Sequence, residues 1–251
     1  MKKSFLVKAI LTSFLMVLMV FIATPEVMAY QIQIGYSESA AGYYGMYSYD
    51  EGGEFTVKPD AGLSRVLNSY VDYGGIKTKN IGVSGTFQTF CLEIYEDIGG
   101  YPHTYTANLN NTAMYGGNYP NGDPISKGTA YLYHEFQNGT LSGYNYTSNR
   151  WSSAGALQDT IWWLEGEIED EPDNDFTTLV KGLSNYMAPN NGEYPVSVLN
   201  LYDYNDPYGE PYRQDLLVCE PVHTPEPATM LLLGSGLIAL AGLARRRFKK
   251  N

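Results

Sequence analysis

The sequence predicts an α+β domain built on an antiparallel sheet, a sandwich or barrel with helices inserted between its strands. Two observations predict this class. Apolar and polar residues alternate over several short segments, which is typical of half-buried strands. Between residues 126 and 187 the apolar spacing becomes helical, and afterwards it returns to strand spacing. We expect residues 30–220 to form one domain, since no internal repeat or linker interrupts them.

The strands are predicted from alternation and from the turn residues that bound them. Tyr30, Ile32 and Ile34 alternate with polar residues at the start of the domain. Residues 37–53 are rich in Gly, Ser and Tyr and are predicted to be a loop. The other predicted strands cover residues 85–96, 105–109, 194–202 and 212–219.

Three helices are predicted between these strands. The first covers residues 126–137, with Ser126 as its N-cap and Gly139 after its end. The second covers 153–165, and the third 175–187. These helices would pack their apolar stripes on the sheet.

Composition and charge exclude several classes of protein. The chain has 251 residues, is 44% hydrophobic and carries a net charge of −11, so it is too apolar to be disordered. Residues 30–223 hold eight of the 16 Lys and Arg but 25 of the 27 Asp and Glu. Phosphate backbones repel such a domain, so we expect no nucleic-acid partner.

The N-terminus has the three parts of a secretory signal peptide. Lys2 and Lys3 are followed by the apolar residues 9–23, and Ala29 lies at the expected cleavage position. We therefore predict a signal peptide over residues 1–29 and an exported domain after it.

The C-terminus predicts a membrane helix with a cytoplasmic end. Residues 228–244 are apolar and uncharged, which is about the shortest length that spans a bilayer. Arg245, Arg246 and Arg247 follow directly, and the positive-inside rule places them in the cytoplasm.

A Pro-Glu-Pro sequence, formed by Pro225, Glu226 and Pro227, precedes the apolar segment. This order of tripeptide, short apolar helix and arginine cluster resembles the PEP-CTERM sorting signal, and the resemblance covers residues 221–251. It implies processing by an exosortase, a transient inner-membrane anchor through the C-terminal helix, and final placement at the cell surface or in the extracellular matrix.

Two motifs surround one of the two cysteines. Residues 89–95 read Thr-Phe-Cys-Leu-Glu-Ile-Tyr, and residues 156–164 read Ala-Leu-Gln-Asp-Thr-Ile-Trp-Trp-Leu. On a helix, Gln158, Ile161 and Trp162 share one face.

This pair of motifs resembles the thioester domains of bacterial surface adhesins. The resemblance implies an internal thioester between Cys91 and Gln158 that reacts with amines on a surface partner. Such a protein needs no cofactor, metal or catalytic residue, and we expect it not to be an enzyme. The aromatic and aliphatic residues expected to keep water from the bond are Phe90, Ile161, Trp162 and Trp163.

Other interpretations remain open at the level of sequence. Exported thiols tend to be oxidised, so Cys91 and Cys219 could instead form a disulfide, or both could stay reduced. The domain could also be a structural or carbohydrate-binding matrix protein that contacts exopolysaccharide. The acidic residues 165–175 are predicted to be a solvated loop, with Ca²⁺ binding as the alternative.

Overall fold

A computed structural model describes most of the exported domain. The predicted signal peptide, apart from Ala29, and the predicted sorting segment, apart from Gly236, lie outside the described residues. Among the residues that the structure describes, no helix has both the length and the apolar character needed to cross a membrane. The described residues are 29–34, 44–47, 52–71, 85–98, 103–114, 122–146, 150–205, 211–220 and 236.

The main sheet is antiparallel and has seven strands. The strands in the described part of the chain are β1 (Ala29–Ile34), β2 (Tyr44–Tyr47), β3 (Gly52–Pro59), β4 (Phe87–Thr89), β5 (His103–Asn110), β6 (Thr112–Ala113), β7 (Asp123–Pro124), β8 (Val196–Tyr202) and β9 (Tyr212–Cys219). The order of the main sheet is β2-β3-β1-β5-β8-β9, and β4 also pairs with β3. Strands β6 and β7 pair with each other in a separate sheet.

The residues that follow β4 nearly close this sheet into a barrel. β4 pairs with β3, and its continuation forms a β-bridge between Cys91 and Leu216 of β9. Hydrogen bonds extend the bridge on both sides, from Leu217 N to Phe90 O at 3.2 Å and from Leu92 N to the backbone O of Asp215 at 3.0 Å. The prediction of an α+β domain with an antiparallel sheet is confirmed.

Four α-helices lie in the described part of the chain, and three of them are inserted between β7 and β8. Ser126 caps α2 as predicted, since its side chain accepts from Thr129 N, and Gly139 takes the left-handed conformation after the helix. The helices are α1 (Ala61–Leu67), α2 (Lys127–Asn138), α3 (Arg150–Glu165) and α4 (Asp175–Lys181).

Some element bounds differ from the prediction. Helix α3 begins three residues before the predicted start at residue 153, and α4 ends at Lys181 rather than at residue 187. Gly182 follows α4 directly, and glycine is among the least favourable residues for continuing a helix. The predicted loop over residues 37–53 contains β2 and the start of β3.

The predicted strand over residues 85–96 is much shorter, because a side chain folds its second half into a turn. The Gln214 side chain accepts a hydrogen bond from Glu93 N at 3.0 Å and donates to Glu96 O at 2.9 Å. Its amide replaces the strand partner that this backbone would otherwise need.

Candidate functional site

The side chain of Gln158 lies against the backbone of Cys91. Gln158 is fully buried on α3, which packs across β2 and β3. Its Nε2 donates to Cys91 O at 2.8 Å, and Cys91 N donates to its Oε1 at 3.1 Å. The structure therefore brings together the two residues that the sequence motifs had paired.

A second backbone group contacts the same Gln158 oxygen. Gly53 N, in β3, donates to Gln158 Oε1 at 3.0 Å. Two backbone N–H groups thus point at one side-chain carbonyl oxygen inside the core. This arrangement draws electron density from the carbonyl carbon and would stabilise negative charge on the oxygen, as in an oxyanion hole.

Two adjacent glycines allow this approach. A Cβ atom at Gly52 would lie 2.3 Å from the Trp162 ring and 3.0 Å from Gln158 Cγ. Gly53 has a φ of +123°, which other residues rarely adopt. Both glycines lie in the segment predicted to be a loop, and their role becomes visible only through their contact with α3.

The Cys91 thiol is held in its protonated form. It is buried, and burial raises its pKa well above the ordinary range; the negative charges of Glu96 and Asp97 raise it further. A hydrogen bond with the Gln214 side chain has the opposite, smaller effect. Gln214 therefore orients both the thiol and the turn that follows it, a role that the sequence analysis did not assign.

The two cysteines are buried thiols, and no disulfide joins them. The bridge between Cys91 and Leu216 places Cys219 three residues further along β9, about 10 Å away at strand spacing. A disulfide requires Cα atoms roughly 4.4–6.8 Å apart. Cys219 lies near Tyr70 and Tyr133 instead, since its charge contributes to the raised pKa of both phenols.

The predicted pocket residues divide between two surroundings. Ile161 and Trp162 are buried on α3 beside Gln158, and Trp162 covers Gly52. Phe90 is buried with its ring 5.1 Å from that of Phe136 on α2. Trp163 is half-buried and packs against Tyr186, with ring centroids 6.0 Å apart.

A buried ion pair fixes the start of α3 to the strand that carries Gly53. Both side chains, Arg150 and Glu54, are almost fully buried, and Arg150 Nε lies 2.7 Å from Glu54 Oε2. Tyr144 donates to the same carboxylate at 2.6 Å. Such a network sets the position of a helix relative to a strand, because any displacement would leave a buried charge unpaired.

Two carboxylates of the acidic segment that was predicted to be solvated are instead half-buried and accept hydrogen bonds from the backbone of other segments. Glu165 accepts from Ser126 N at 3.2 Å, and Glu167 accepts from Ile94 N at 3.1 Å. In the described part of the chain, no group of three or more His, Cys, Asp or Glu side chains is placed to hold a metal ion.

A separate open cavity of about 730 Å³ lies on another face of the domain. Neither Cys91 nor Gln158 lines it. Its polar and aromatic lining includes Asn111, Asn191, Glu193, Tyr194 and Glu220.

Comparison with known proteins bears on the C-terminus. Residues 223–247 match the PEP-CTERM protein-sorting motif. This chain carries an exosortase sorting signal. The match includes Pro225, Glu226 and Pro227 and the arginines Arg245, Arg246 and Arg247, all of which lie outside the described residues. The motif marks a protein that is anchored transiently in the membrane by this segment and then exported. No curated protein and no solved structure matched the chain.

Proposed function

We propose that this exosortase-sorted protein is an adhesin of the cell surface or matrix, which captures primary amines of a partner through a thioester between Cys91 and Gln158. The observation that carries the proposal is the pair of backbone N–H groups on Gln158 Oε1, one of them from Cys91 itself. An ordinary buried glutamine needs hydrogen bonds, but it does not need a cysteine backbone as its partner.

The bond-forming step balances within these two side chains. Cys91 Sγ attacks Gln158 Cδ, and the Cδ–Nε2 bond breaks. The thiol proton goes to the leaving nitrogen, which departs as ammonia. The two N–H groups hold the negative charge that develops on Oε1 during the attack. The buried Cys91 thiol carries the proton that the leaving nitrogen needs, and the sulfur becomes the better nucleophile as it gives that proton up.

The surrounding residues would protect the product from hydrolysis. Gln158 and Ile161 are fully buried, and Cys91 and Trp162 nearly so. Excluding water preserves an activated acyl group until a stronger nucleophile enters. An amine then forms an amide with Gln158 and releases the Cys91 thiol. This covalent link explains the use of such a site in an exported surface protein.

Intact-mass measurement tests the proposal. We expect the purified protein to weigh one ammonia less than its sequence, and to gain one methylamine on incubation with that amine. Peptide mapping should place both changes at Cys91 and Gln158. The matched control is Gln158→Glu. Its carboxylate has nearly the same shape as the amide but is a poor acyl donor, so this variant should show neither change. An unreactive wild-type protein at its full sequence mass would contradict the proposal.

The open cavity supports carbohydrate binding as a second candidate function. Tyr194 offers an aromatic face, and Asn111, Asn191 and Glu193 offer hydrogen-bonding groups, a combination suited to sugar rings. We expect Tyr194→Ala to abolish any binding of exopolysaccharide and Gln158→Glu to leave it unchanged. Retention measured on the immobilised polysaccharide distinguishes this function from amine capture.

A further inference from the structure

The open cavity of about 730 Å³ is formed by several parts of the domain that are distant in sequence. Thr112 of β6 and Pro124 of β7 belong to its lining, residues 189–197 contribute most of the rest, and Glu220 lies directly after β9. Sites for small molecules have volumes of about 300–1,000 Å³. The cavity is therefore large enough to hold part of a polymer chain.

Hydrogen bonds fix the wall that carries the aromatic ring of the cavity. Asn190 N donates to Ile125 O at 2.9 Å. The Asn190 side chain bonds the backbone of Tyr194 twice, donating to its O at 2.8 Å and accepting from its N at 3.0 Å. The Tyr194 ring also contacts that of Tyr131 on α2, with centroids 5.5 Å apart. Because the ring is held before a ligand arrives, binding costs less conformational entropy.

Glu220 presents a carboxylate whose position is also fixed. Glu220 N donates to Pro195 O at 3.0 Å, and the Ser197 hydroxyl donates to Glu220 Oε1. Among the residues that the structure describes, no donor contacts the second oxygen, Oε2. An oriented carboxylate oxygen accepts short, charge-assisted hydrogen bonds from hydroxyl groups.

Two exposed side-chain amides, those of Asn111 and Asn191, belong to the same lining. An amide both donates and accepts hydrogen bonds, and so does a hydroxyl group. The cavity thus combines an aromatic face with a small number of polar groups, as binding sites for small molecules do. This combination fits the apolar face and the hydroxylated edge of a sugar ring.

The charge of the lining disfavours one class of sugar. Glu193 and Glu220 are its charged side chains in the described part of the chain, and both are acidic. The nearest cation on this wall is Lys127, whose Nζ lies 2.8 Å from Glu193 Oε1 and is thus already paired. A negative potential repels anionic polymers and leaves uncharged polymers unaffected.

We propose that this cavity binds uncharged sugar units of a polysaccharide and discriminates against polymers that carry carboxylate groups, with Glu220 as the residue that determines this specificity. The proposal rests on the carbohydrate-binding function above and is independent of the thioester. Hydroxyl groups supply the donors that Glu220 Oε2 accepts, and Tyr194 packs against the sugar ring. A uronate unit would instead place its carboxylate beside that of Glu220.

Two forms of one polymer test the inference, polygalacturonate and the same polymer fully methyl-esterified, with galactomannan as a second uncharged probe. At low salt the immobilised uncharged polymers should retain the wild-type protein with an affinity at least about tenfold higher than polygalacturonate does. Added salt should reduce this ratio, because it screens the repulsion.

Variants of the cavity sharpen the test. Tyr194→Ala should abolish retention on the uncharged polymers. Glu220→Gln should weaken that retention and increase retention on polygalacturonate, a gain that a merely structural role for Glu220 would not produce. The matched control is Glu169→Gln, an exposed carboxylate that does not line the cavity, which should behave like the wild type.

The outcomes separate this inference from the function on which it rests. If charged and uncharged polymers retain the protein equally, and Glu220→Gln matches Glu169→Gln, the specificity is wrong and carbohydrate binding stands. If no polymer retains the protein, both are wrong. Should Glu220→Gln not fold, the wild-type ratio between the two forms of polygalacturonate and its salt dependence decide alone.

Discussion

The two cysteines are buried to the same degree, yet they lie in different chemical surroundings. Cys91 is contacted by the amides of Gln158 and Gln214. Cys219, on β9, lies near the phenols of Tyr70 and Tyr133. Burial raises the pKa of the Cys91 thiol. The two cysteines therefore differ in their neighbouring groups rather than in their burial.

Exchanging each cysteine for alanine gives the largest expected difference. Cys91→Ala should abolish capture of methylamine, because the attacking sulfur is removed. Cys219→Ala should leave it intact and cost only the packing of one sulfur. Mass measurement after incubation with methylamine reports both results. A folded Cys219→Ala variant that no longer captures methylamine would contradict the assignment of the two cysteines.

The second prediction uses two glycines that pack tightly, one beside Gln158 and one away from it. Gly52→Ala would press on Trp162, whereas Gly128→Ala would press on Val180, with the new Cβ 2.7 Å from Val180 Cγ2. Each should lower the free energy of unfolding by roughly 1–3 kcal/mol through overpacking.

Only Gly52→Ala should also slow thioester formation, by at least about tenfold, because it moves α3 away from Cys91. Chemical denaturation and the fraction of protein that has lost ammonia measure the two effects. Equal slowing in both variants would mean that general destabilisation, not the position of Gln158, controls the reaction.

The pH dependence of the free energy of unfolding tests whether the carboxyl groups that follow Cys91 in sequence are buried and protonated. Glu93 and Glu96 have pKa values raised to about 9 and about 8 in the folded protein, so folding takes up protons above their unfolded pKa near 4.3. Stability should therefore be highest near pH 4–5 and fall as the pH rises to 9. Each full proton contributes a slope of about 1.4 kcal/mol per pH unit.

Denaturation midpoints between pH 4 and 9 measure this slope. Glu96→Gln should make it shallower, and Glu169→Gln should not. A wild-type protein that becomes more stable over this range would contradict the buried, protonated state of the two carboxyls.

The smallest effect is expected beside Cys219. Tyr133 donates to Gln88 O at 2.8 Å and accepts from Gln137 Nε2 at 2.8 Å inside the core. Tyr133→Phe should cost about 1–2 kcal/mol, because buried polar atoms lose a partner. Amine capture should not change, and a loss of capture at unchanged fold would link the two cysteine environments.

The sequence predicted correctly those helices and strands that are determined by residues next to them in the chain. Helix α2 has its capping serine and terminal glycine next to it in sequence, and β9 ends in the continuous apolar run 216–219. The proximity of Cys91 and Gln158 was also predicted, from the two sequence motifs that surround them.

The parts that the sequence could not predict depend on distant contacts. Gly52 and Gly53 are typical turn residues, but the approach of Trp162 and Gln158 makes them part of a strand. The turn after Cys91 exists because Gln214, 121 residues away from Glu93, takes over its hydrogen bonds. The pattern of apolar and polar residues within 85–96 gives no indication of such a distant partner.

The barrel closure also determines when the segment that carries Cys91 can reach its final position. The segment that carries Cys91 is held by β9, for example through the hydrogen bond from Thr89 Oγ1 to Leu217 O across 128 residues of sequence. Exported chains emerge from the N-terminus onward, so this strand arrives after every other strand of the sheet. Gln214 and Leu216 cannot take their places until then. The proposed thioester would therefore form only after export, once the last strand of the sheet is in place.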